Sequence, residues 1–552
     1  EQTLAEIWAN LLGVEQVGIH DNFFELGGDS ILSIQVIARA RDAGLRFAPK
    51  QLFQHQTIAE LAAVEGTCQT IDAEQGPVVG PAPLTPIQHW FLDEEPLEAH
   101  HFNQAVLLTV DASVRSELVE EALHLLCLHH DALRLRFRRD GAEWRQSHAE
   151  QTAWPLRRFD LSRLAADEQA ATTSSEIDRL QSSLNLSDGP LAVAGWFEFG
   201  ADRPKRLLLA VHHLAIDAVS WRILLEDLSA LYSQLAAGAR PALPPKTTSF
   251  QAWAGRLAEL AQSDSVREEA PYWFESARRR VEPLPRDFAG GDNRYGLSRE
   301  VAGSLDADLT TALLEKAPAA YRTEINDLLL AALARTLAAW TGDPRVLVDL
   351  ESHGRLPLFD DVDLSRTVGW FTHSYPLCLS SPSGIAVADL LRKTKEALRR
   401  VPHGGLGYGL LRYLTRGEAA EKLKVLPQAE LSFNYLGRLG DLLPAGGPFA
   451  LAPESSGALQ SPHAERRHLL EINAYILEGR LQVIWSYSEA IYRRETIERL
   501  AKSYLSNLRS LVDHCCSDEA GGAAPEDFPL ADLDHQGIDQ VARLLDELDN
   551  LG

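Results

Sequence analysis

Apolar residues near the start of the chain recur at the spacing of an amphipathic helix. Leu4, Ile7, Trp8 and Leu11 all fall on one face of such a helix. A second amphipathic stretch runs from Ser30 to Ala43. Because helical periodicity dominates so short a segment, residues 1–65 are predicted to form a small bundle of four short helices.

The periodicity stops between residues 66 and 82, where glycine and proline accumulate. The pairs Gly76-Pro77 and Gly80-Pro81 favour turns over helices and strands. This segment is therefore predicted to be a linker between two folded units.

Strand-like and helix-like segments are mixed from residue 83 to residue 515. One example is an apolar strand from Arg206 to Val211, followed by a helix from Ser220 to Tyr232. Such a mixture predicts an α/β layered fold. A charged stretch rich in proline divides this region into two lobes, at about residues 83–265 and about 290–515. The tail, residues 516–552, is interpreted as a linker or a docking helix.

Composition narrows the possible partners and compartments. The 552 residues carry a net charge of −25, so a nucleic-acid partner is not expected. The apolar runs are far shorter than a membrane span, and no secretion signal opens the chain. The five cysteines show no metal-binding or redox spacing, which favours a reducing cytoplasm.

A serine follows a glycine turn at the start of the second predicted helix. The string from Asp21 to Ser30 reads Asp-Asn-Phe-Phe-Glu-Leu-Gly-Gly-Asp-Ser. On spacing alone, Ser30 is best interpreted as a helix N-cap. The string resembles the signature of peptidyl carrier domains, and that resemblance implies that Ser30 carries phosphopantetheine. It also implies that Asp29 helps to position the substrate of the phosphopantetheinyl transferase.

A second motif, HHLAIDAVSW, follows the apolar strand and occupies residues 212–221. Neighbouring strand residues face opposite sides, so at most one of His212 and His213 is expected to face a given cleft. A histidine pair of this kind is more often structural. A zinc site at His213 and Asp217 is disfavoured because no third ligand stands at a suitable spacing.

The second motif is similar to the active-site motif of the condensation and epimerization superfamily of nonribosomal peptide synthetases. The resemblance implies two lobes like those of chloramphenicol acetyltransferase, with the active site between them and His213 as the catalytic histidine. Asp217 is then structural and is expected to pair with Arg366 across the lobes. His212, Ser220 and Trp221 are expected to support the site.

Further segments resemble the epimerization branch of that superfamily. They are Glu351-Ser-His-Gly-Arg355, Ser365-Arg-Thr-Val-Gly-Trp-Phe-Thr372, Pro402-His-Gly-Gly-Leu-Gly-Tyr-Gly409 and Ser432-Phe-Asn-Tyr-Leu-Gly437. The resemblance implies that Glu351 is the second acid–base group, and that Asn434 and Tyr435 line the tunnel. An unmatched glutamate would be interpreted as a salt-bridged loop acid. Ala218 and Ser352 stand where the family usually has glycine, and strain at Ala218 is expected if that position needs a positive φ.

The predicted reaction is inversion of the α-carbon, from L to D, of an aminoacyl or peptidyl group held as a thioester on the carrier domain. The enzyme would be an isomerase of antibiotic-type peptide biosynthesis. Its implied partners are its own carrier domain, an upstream adenylation domain and a downstream condensation domain. Two alternatives stay open: a condensation domain, and a carrier and docking module without catalytic activity.

Overall fold

The computed structural model describes residues 1–66, 73–278, 281–438, 443, 446–517 and 520–521. The N-terminal unit is a bundle of α1 (Gln2–Leu12), α2 (Ser30–Asp42), α3 (Pro49–Gln54) and α4 (Ile58–Ala63). The predicted four helices are therefore confirmed. Trp8 and Phe23 are fully buried at its centre, with ring centroids 4.9 Å apart. This apolar core is separate from that of the larger unit.

The first lobe of the larger unit mixes strands and helices. In chain order its elements are β1 (Gly80–Ala82), α5 (Pro86–Leu92), β2 (Asn103–Val110), α6 (Ser116–His129), β3 (Leu135–Asp140), β4 (Glu143–His148), β5 (Leu156–Asp160), α7 (Ala166–Gln181), β6 (Ala192–Glu198), β7 (Lys205–His212), α8 (Ala218–Ala236), α9 (Phe250–Leu260), α10 (Asp264–Glu268) and α11 (Ala270–Arg278). The strand and helix predicted around Val211 and Ser220 are β7 and α8.

The second lobe follows the charged stretch. Its elements are β8 (Ser298–Ser304), α12 (Ala307–Thr311), α13 (Ala317–Tyr321), α14 (Ile325–Thr341), β9 (Arg345–Ser352), β10 (His373–Ser380), α15 (Val387–Arg399), α16 (Leu406–Gly409), α17 (Glu418–Lys424), β11 (Leu431–Arg438), β12 (Phe449–Leu451), β13 (Leu470–Leu477), β14 (Arg480–Ser488) and α18 (Arg494–Cys515). The α/β fold in two lobes is confirmed.

Each lobe is organised around one large sheet. The first has the strand order β12-β2-β7-β6-β5, and the second has the order β10-β9-β11-β13-β14-β8. Strands β1, β4 and β3 form a smaller sheet. Strand β12 comes from the second half of the chain but pairs antiparallel with β2 of the first lobe. The two lobes are thus joined by a shared sheet as well as by packing.

Strand β7 explains the position of the histidine motif. Its residues from Arg206 to His212 are all buried, as expected for a central strand covered on both faces. The chain then turns, and α8 begins where the Asp217 side chain accepts a hydrogen bond from the Ser220 backbone N–H. The motif therefore lies at the end of the sheet, where the lobes meet.

The segment predicted as a linker is attached to the first lobe over its second half. Strand β1 pairs with β4. The Lys246 ammonium donates to the carbonyl of Gly76, and Arg134 donates to the carbonyl of Val78. Residues 73–82 therefore follow the surface of the lobe. The predicted helix of the tail lies outside the described residues. Among the helices of the described ranges, none is long and apolar enough to cross a bilayer.

Because the carrier bundle has its own core, we expect two thermal unfolding transitions. Replacing Trp8 by alanine should lower the stability of the first unit by about 3–5 kcal/mol and shift only its transition. The matched replacement of Trp485, fully buried in the larger unit, should shift only the other transition. Calorimetry measures both, and a joint shift in either variant would contradict independent cores.

Candidate active site

The two histidines of the motif have different surroundings, because His212 is the last residue of β7 and His213 begins the turn that follows. His212 is buried, its Nε2 lies 2.8 Å from the carbonyl oxygen of Ala99, and its Nδ1 accepts from the Leu214 backbone N–H. His213 is only partly buried. His212 is therefore a structural residue, which leaves His213 to face the junction of the lobes.

The contacts of His213 fix the position of its ring and its tautomer. Its Nδ1 donates to the carbonyl oxygen of Ile216 at 2.8 Å, so Nε2 holds the lone pair. The side-chain amide of Gln104 lies 2.9 Å from that Nε2. Phe102 stacks on the ring, and Trp370 of the second lobe lies 4.5 Å away between ring centroids. Burial lowers the pKa of His213, which favours the neutral form, a base.

Asp217 pairs with Arg355, and the expected pairing with Arg366 is wrong. The Nη2 of Arg355 donates to both carboxylate oxygens at 3.0 and 3.2 Å and to the Ser220 hydroxyl at 2.9 Å. Its Nη1 donates to the carbonyls of Leu364 and Thr367. Asp217, Ser220 and Arg355 are buried, so this pair has the environment of a structural ion pair.

Arg366 binds further along the same helix. Its Nη2 donates to Asp227 at 2.5 Å, and its Nη1 lies 3.5 Å from Glu226. Asp227 lies ten residues beyond Asp217 on α8, about 15 Å along the helix axis. Because of that distance, the Arg366 guanidinium that binds Asp227 cannot also reach Asp217.

Asp227 also belongs to a group of possible metal ligands with His129 and His130, whose donor atoms lie within 4.8 Å of one another. Its carboxylate is already bound by Arg366 and by Nε2 of His130 at 2.9 Å. A guanidinium beside the carboxylate opposes a cation there. The arrangement is therefore best explained as an ion-pair network between the lobes.

Glu351 lies at the end of β9 in the second lobe. The side-chain amide of Asn434 on β11 donates to its carboxylate at 3.0 Å. The residue is exposed at its surface, yet the surrounding protein desolvates the carboxylate and raises the pKa of Glu351 to about 7. A carboxyl group with that pKa can both donate and accept a proton near neutral pH.

A short segment connects the surroundings of the two acid–base candidates. It begins at Trp370, which contacts the His213 ring, and ends at Ser374, which pairs with Glu351 across β10 and β9. Four residues of extended chain span at most about 14 Å. The backbone N–H of Phe371, within this segment, donates to Asp217. One continuous segment thus links the His213 ring of the first lobe to the strand partner of Glu351 in the second.

The carrier domain contacts the second lobe beside this site. Asp29 caps α2 by accepting from the backbone N–H groups of Ile31 and Leu32, so Ser30 is the first helical residue. The N-cap interpretation of Ser30 is therefore wrong. A side chain at Gly437 would lie 3.4 Å from both Asp29 and Ile31, and the φ of Gly437 is 71°. The positive φ of Gly437 is the reason that glycine suits this turn at the end of β11, because a side chain there would make only ordinary contacts with Asp29 and Ile31.

Ion pairs hold the carrier in this position. Arg41 of α2 pairs with Asp363 and donates to the Ser365 hydroxyl at 2.5 Å. Lys50 of α3 pairs with Asp360. Both acids precede the Ser365–Thr372 motif, so the carrier rests against the segment that supplies Trp370.

Several predicted positions have simpler environments than expected. Ala218 is the first residue of α8 and does not have a positive φ, so the strain considered for it is not found. Ser352 ends β9 in extended conformation. Trp221 is buried in the core. Tyr435 follows Asn434 on β11 and is partly buried.

Sequence analysis missed Gln104, Phe102 and Arg355 as site residues. Gln104 reaches His213 because β2 pairs with β7, with Gln104 opposite Val211. Pairing between strands that lie far apart in the chain produces no local sequence motif, so the contact of Gln104 with His213 could not be predicted. Arg355 closes the Glu351–Arg355 motif, which was a usable signal for a structural role.

The Asp217–Arg355 pair can be tested by a double-mutant cycle. Removing either partner leaves a buried charge without compensation and should lower the free energy of unfolding by about 3–5 kcal/mol. Asp217→Asn and Arg355→Met should therefore be strongly non-additive in urea unfolding. The control pair, Asp217→Asn with Arg366→Met, should be additive within about 0.5 kcal/mol. An additive cycle for Asp217 with Arg355, together with a non-additive cycle for Asp217 with Arg366, would show that Asp217 pairs with Arg366 instead.

Comparison with known families agrees with this division of the chain. Residues 2–64 match the model of the phosphopantetheine attachment site, and residues 78–528 match that of the condensation domain. The sequence is 47% identical over 550 residues to one component of the linear gramicidin synthase of Brevibacillus parabrevis. It is 39% identical over 554 residues to surfactin synthase subunit 1 of Bacillus subtilis. These matches cover 99% and 100% of this chain but only 7% and 15% of the relatives.

Two solved structures share the fold of this chain. The epimerization domain from the third module of tyrocidine synthetase B matches with a TM-score of 0.76 and 36% identity, over 81% of this chain and 99% of that structure. The X-domain from teicoplanin biosynthesis, 17% identical with a TM-score of 0.63 over 81% of this chain and 97% of that one, shares the fold. The chain therefore belongs to the condensation domain family and carries a phosphopantetheine attachment domain in front of its condensation-type domain.

Proposed function

We propose that this chain is an isomerase that inverts the α-carbon of an aminoacyl or peptidyl group, from L to D, while the group is held on Ser30. The observation that carries the proposal is Glu351. Its carboxylate has a pKa of about 7 and lies in the lobe opposite His213. Inversion needs one group to remove a proton from one face and another to return a proton to the other face. Amide formation assisted by a single histidine does not need this second group.

The motif resemblance and the solved relative named as an epimerization domain support the same reaction. Relatives that include linear gramicidin synthase support a role in antibiotic-type peptide synthesis, with neighbouring adenylation and condensation domains as partners. A phosphopantetheinyl transferase would modify Ser30.

Ser30 suits the attachment of phosphopantetheine. It is partly exposed at the start of α2, where the positive end of the helix dipole favours a phosphodiester, although Asp29 already accepts from the N–H groups of Ile31 and Leu32. The adjoining residues contact Gly437, three strand residues or about 10 Å from Asn434. When bound, the group supplies a thiol that holds the acyl group as a thioester and so acidifies its α-proton. We assign the attachment to Ser30, and we assign to Asp29 a part in positioning the substrate of the phosphopantetheinyl transferase.

The residues of the chain divide the remaining work. His213, neutral and with a lone pair on Nε2 that the substrate would take over from the Gln104 amide, removes the proton on one face, and Glu351 in its protonated form returns one on the other. For inversion from D to L, the Glu351 carboxylate removes the proton and the protonated His213 returns one. Asn434 orients Glu351, and Tyr435 lines the approach, where burial raises its pKa and keeps its hydroxyl protonated as a donor to the developing negative charge.

In both directions the reactive pair holds one proton, so the rate should follow a bell-shaped pH profile. The acidic limb reports protonation of His213. The alkaline limb reports loss of the Glu351 proton and should lie near pH 7 in the absence of other effects.

Proton exchange at the α-carbon is the direct test. The chain is loaded at Ser30 with an L-aminoacyl group and incubated in deuterated water, and the released acid is examined by mass and chirality. We expect deuterium at the α-carbon together with a mixture of D and L forms. His213→Ala and Glu351→Gln should each slow the exchange by about 10²–10⁴-fold, since each removes one acid–base group.

Ser30→Ala, which cannot be loaded, is the control for exchange on the carrier. Activity within a few fold of wild type in His213→Ala or Glu351→Gln would remove that residue from the scheme. Absence of exchange with several side chains would favour condensation or a docking role. Adding a loaded acceptor carrier then separates those two by peptide-bond formation.

Docking of the carrier in cis can be tested by exchanging charges. Lys50→Glu places two acids together beside Asp360 and should slow exchange by a few fold, since exposed pairs contribute about 0–1 kcal/mol. Adding Asp360→Lys should restore the rate by recreating the pair in reverse. Equal rates in the single and double variants, or a double variant slower than the single one, would place the productive carrier position elsewhere.

A further inference from the structure

A second carboxylate, that of Asp349, stands two residues before Glu351 on the same strand. Asp349 and Glu351 are separated by one residue on β9, so their side chains share a face about 7 Å apart. Asp349 is buried. Its Oδ2 lies 2.8 Å from Nε2 of His468, and since a carboxylate only accepts, Nε2 is the donor.

His468 is held from its backbone as well as from its ring. It is buried and comes just before β13, and its carbonyl oxygen accepts from the Asn293 side chain at 3.1 Å. Strand β11 lies between β9 and β13. The bond to Asp349 therefore spans β11, the strand whose Asn434 holds Glu351.

The charged groups around Glu351 oppose one another. His468 favours its carboxylate, whereas Glu471 and Asp349 disfavour it. Glu471, on β13, lies 3.3 Å from Arg466, which compensates part of its charge. Tyr295, before β8, is the remaining titratable group for which an interaction with Glu351 is found in the described part of the chain.

We infer that Asp349 and His468 are positioning residues whose combined charge adjusts how readily Glu351, already desolvated by the protein around it, holds a proton. The inference rests on the proposed role of Glu351 in α-carbon inversion. Neither residue touches the reacting carbon in this scheme. The imidazole N–H shares the charge of the Asp349 carboxylate through a hydrogen bond, and without that bond the negative charge about 7 Å from the working carboxylate would be less well compensated. The two residues should then act on Glu351 in opposite directions.

Two nearly isosteric replacements separate the two charges. His468→Gln removes the compensating imidazole and should raise the titration midpoint of Glu351 by on the order of one pH unit. Asp349→Asn removes the like charge and should lower the midpoint by a similar amount. The amide oxygen of the introduced asparagine still accepts from Nε2 of His468, so Asp349→Asn changes the charge with little change in packing.

The midpoint is read from the carboxyl resonance of Glu351 in the full chain labelled with [5-¹³C]glutamate. Glu351→Gln identifies the resonance by its loss. The alkaline limb of the deuterium-exchange profile provides the second readout and should move with the midpoint in each variant. His130→Gln is the matched control, because it breaks another buried His–Asp bond, 2.9 Å long, in the other lobe. It should lower stability and leave the Glu351 midpoint in place.

The outcomes distinguish the inference from the proposed function. Opposite shifts in the two variants support the inference even if the wild-type chain exchanges no α-proton, in which case only the function fails. Exchange in the wild type, with midpoints that stay fixed or move in the same direction, overturns the inference and leaves the function standing. If His468→Gln does not fold, the shift in Asp349→Asn decides alone.

Discussion

The buried pair between Arg355 and Asp217 is the interaction on which the site depends. Two charges removed from water are tolerated only when hydrogen bonds satisfy them, and here two carbonyls, a hydroxyl and a carboxylate surround one guanidinium. The same carboxylate caps α8 and receives the N–H of Phe371. One carboxylate therefore fixes the turn after His213 and the segment that places Trp370 against it.

Acidic side chains with the same chemistry have three different roles within a few strands of one another. Asp217 is held as a charge by a guanidinium, and Asp349 shares a hydrogen bond with an imidazole. Glu351 accepts a hydrogen bond from the Asn434 amide, is exposed to solvent, and has its pKa raised to about 7 by desolvation. The surroundings, rather than the residue type, determine which carboxyl group can serve in acid–base chemistry.

Much of this could be predicted from the sequence, for physical reasons that differ by element. The first helices follow from the spacing of Leu4 to Leu11, and β7 follows from an unbroken apolar run, because burial imposes both patterns. The partner of Asp217 could not be predicted. Arg355 and Arg366 stand eleven residues apart in adjacent motifs, and only the path of the chain between lobes decides which one reaches the carboxylate. Contacts across domains, such as Arg41 with Asp363, leave no local pattern at all.

Strand β12 has a mechanical consequence for the whole molecule. It is three residues long, yet it closes the edge of the first sheet with chain from the second half of the protein. Pulling the lobes straight apart would break a row of backbone hydrogen bonds and expose the edge of β2. The chain just after β12 reinforces this connection, because Glu454 pairs with Arg206 and the carbonyl of Ser456 accepts from Gln181. The edge of the first sheet therefore works as a clasp that keeps the two halves of the molecule together.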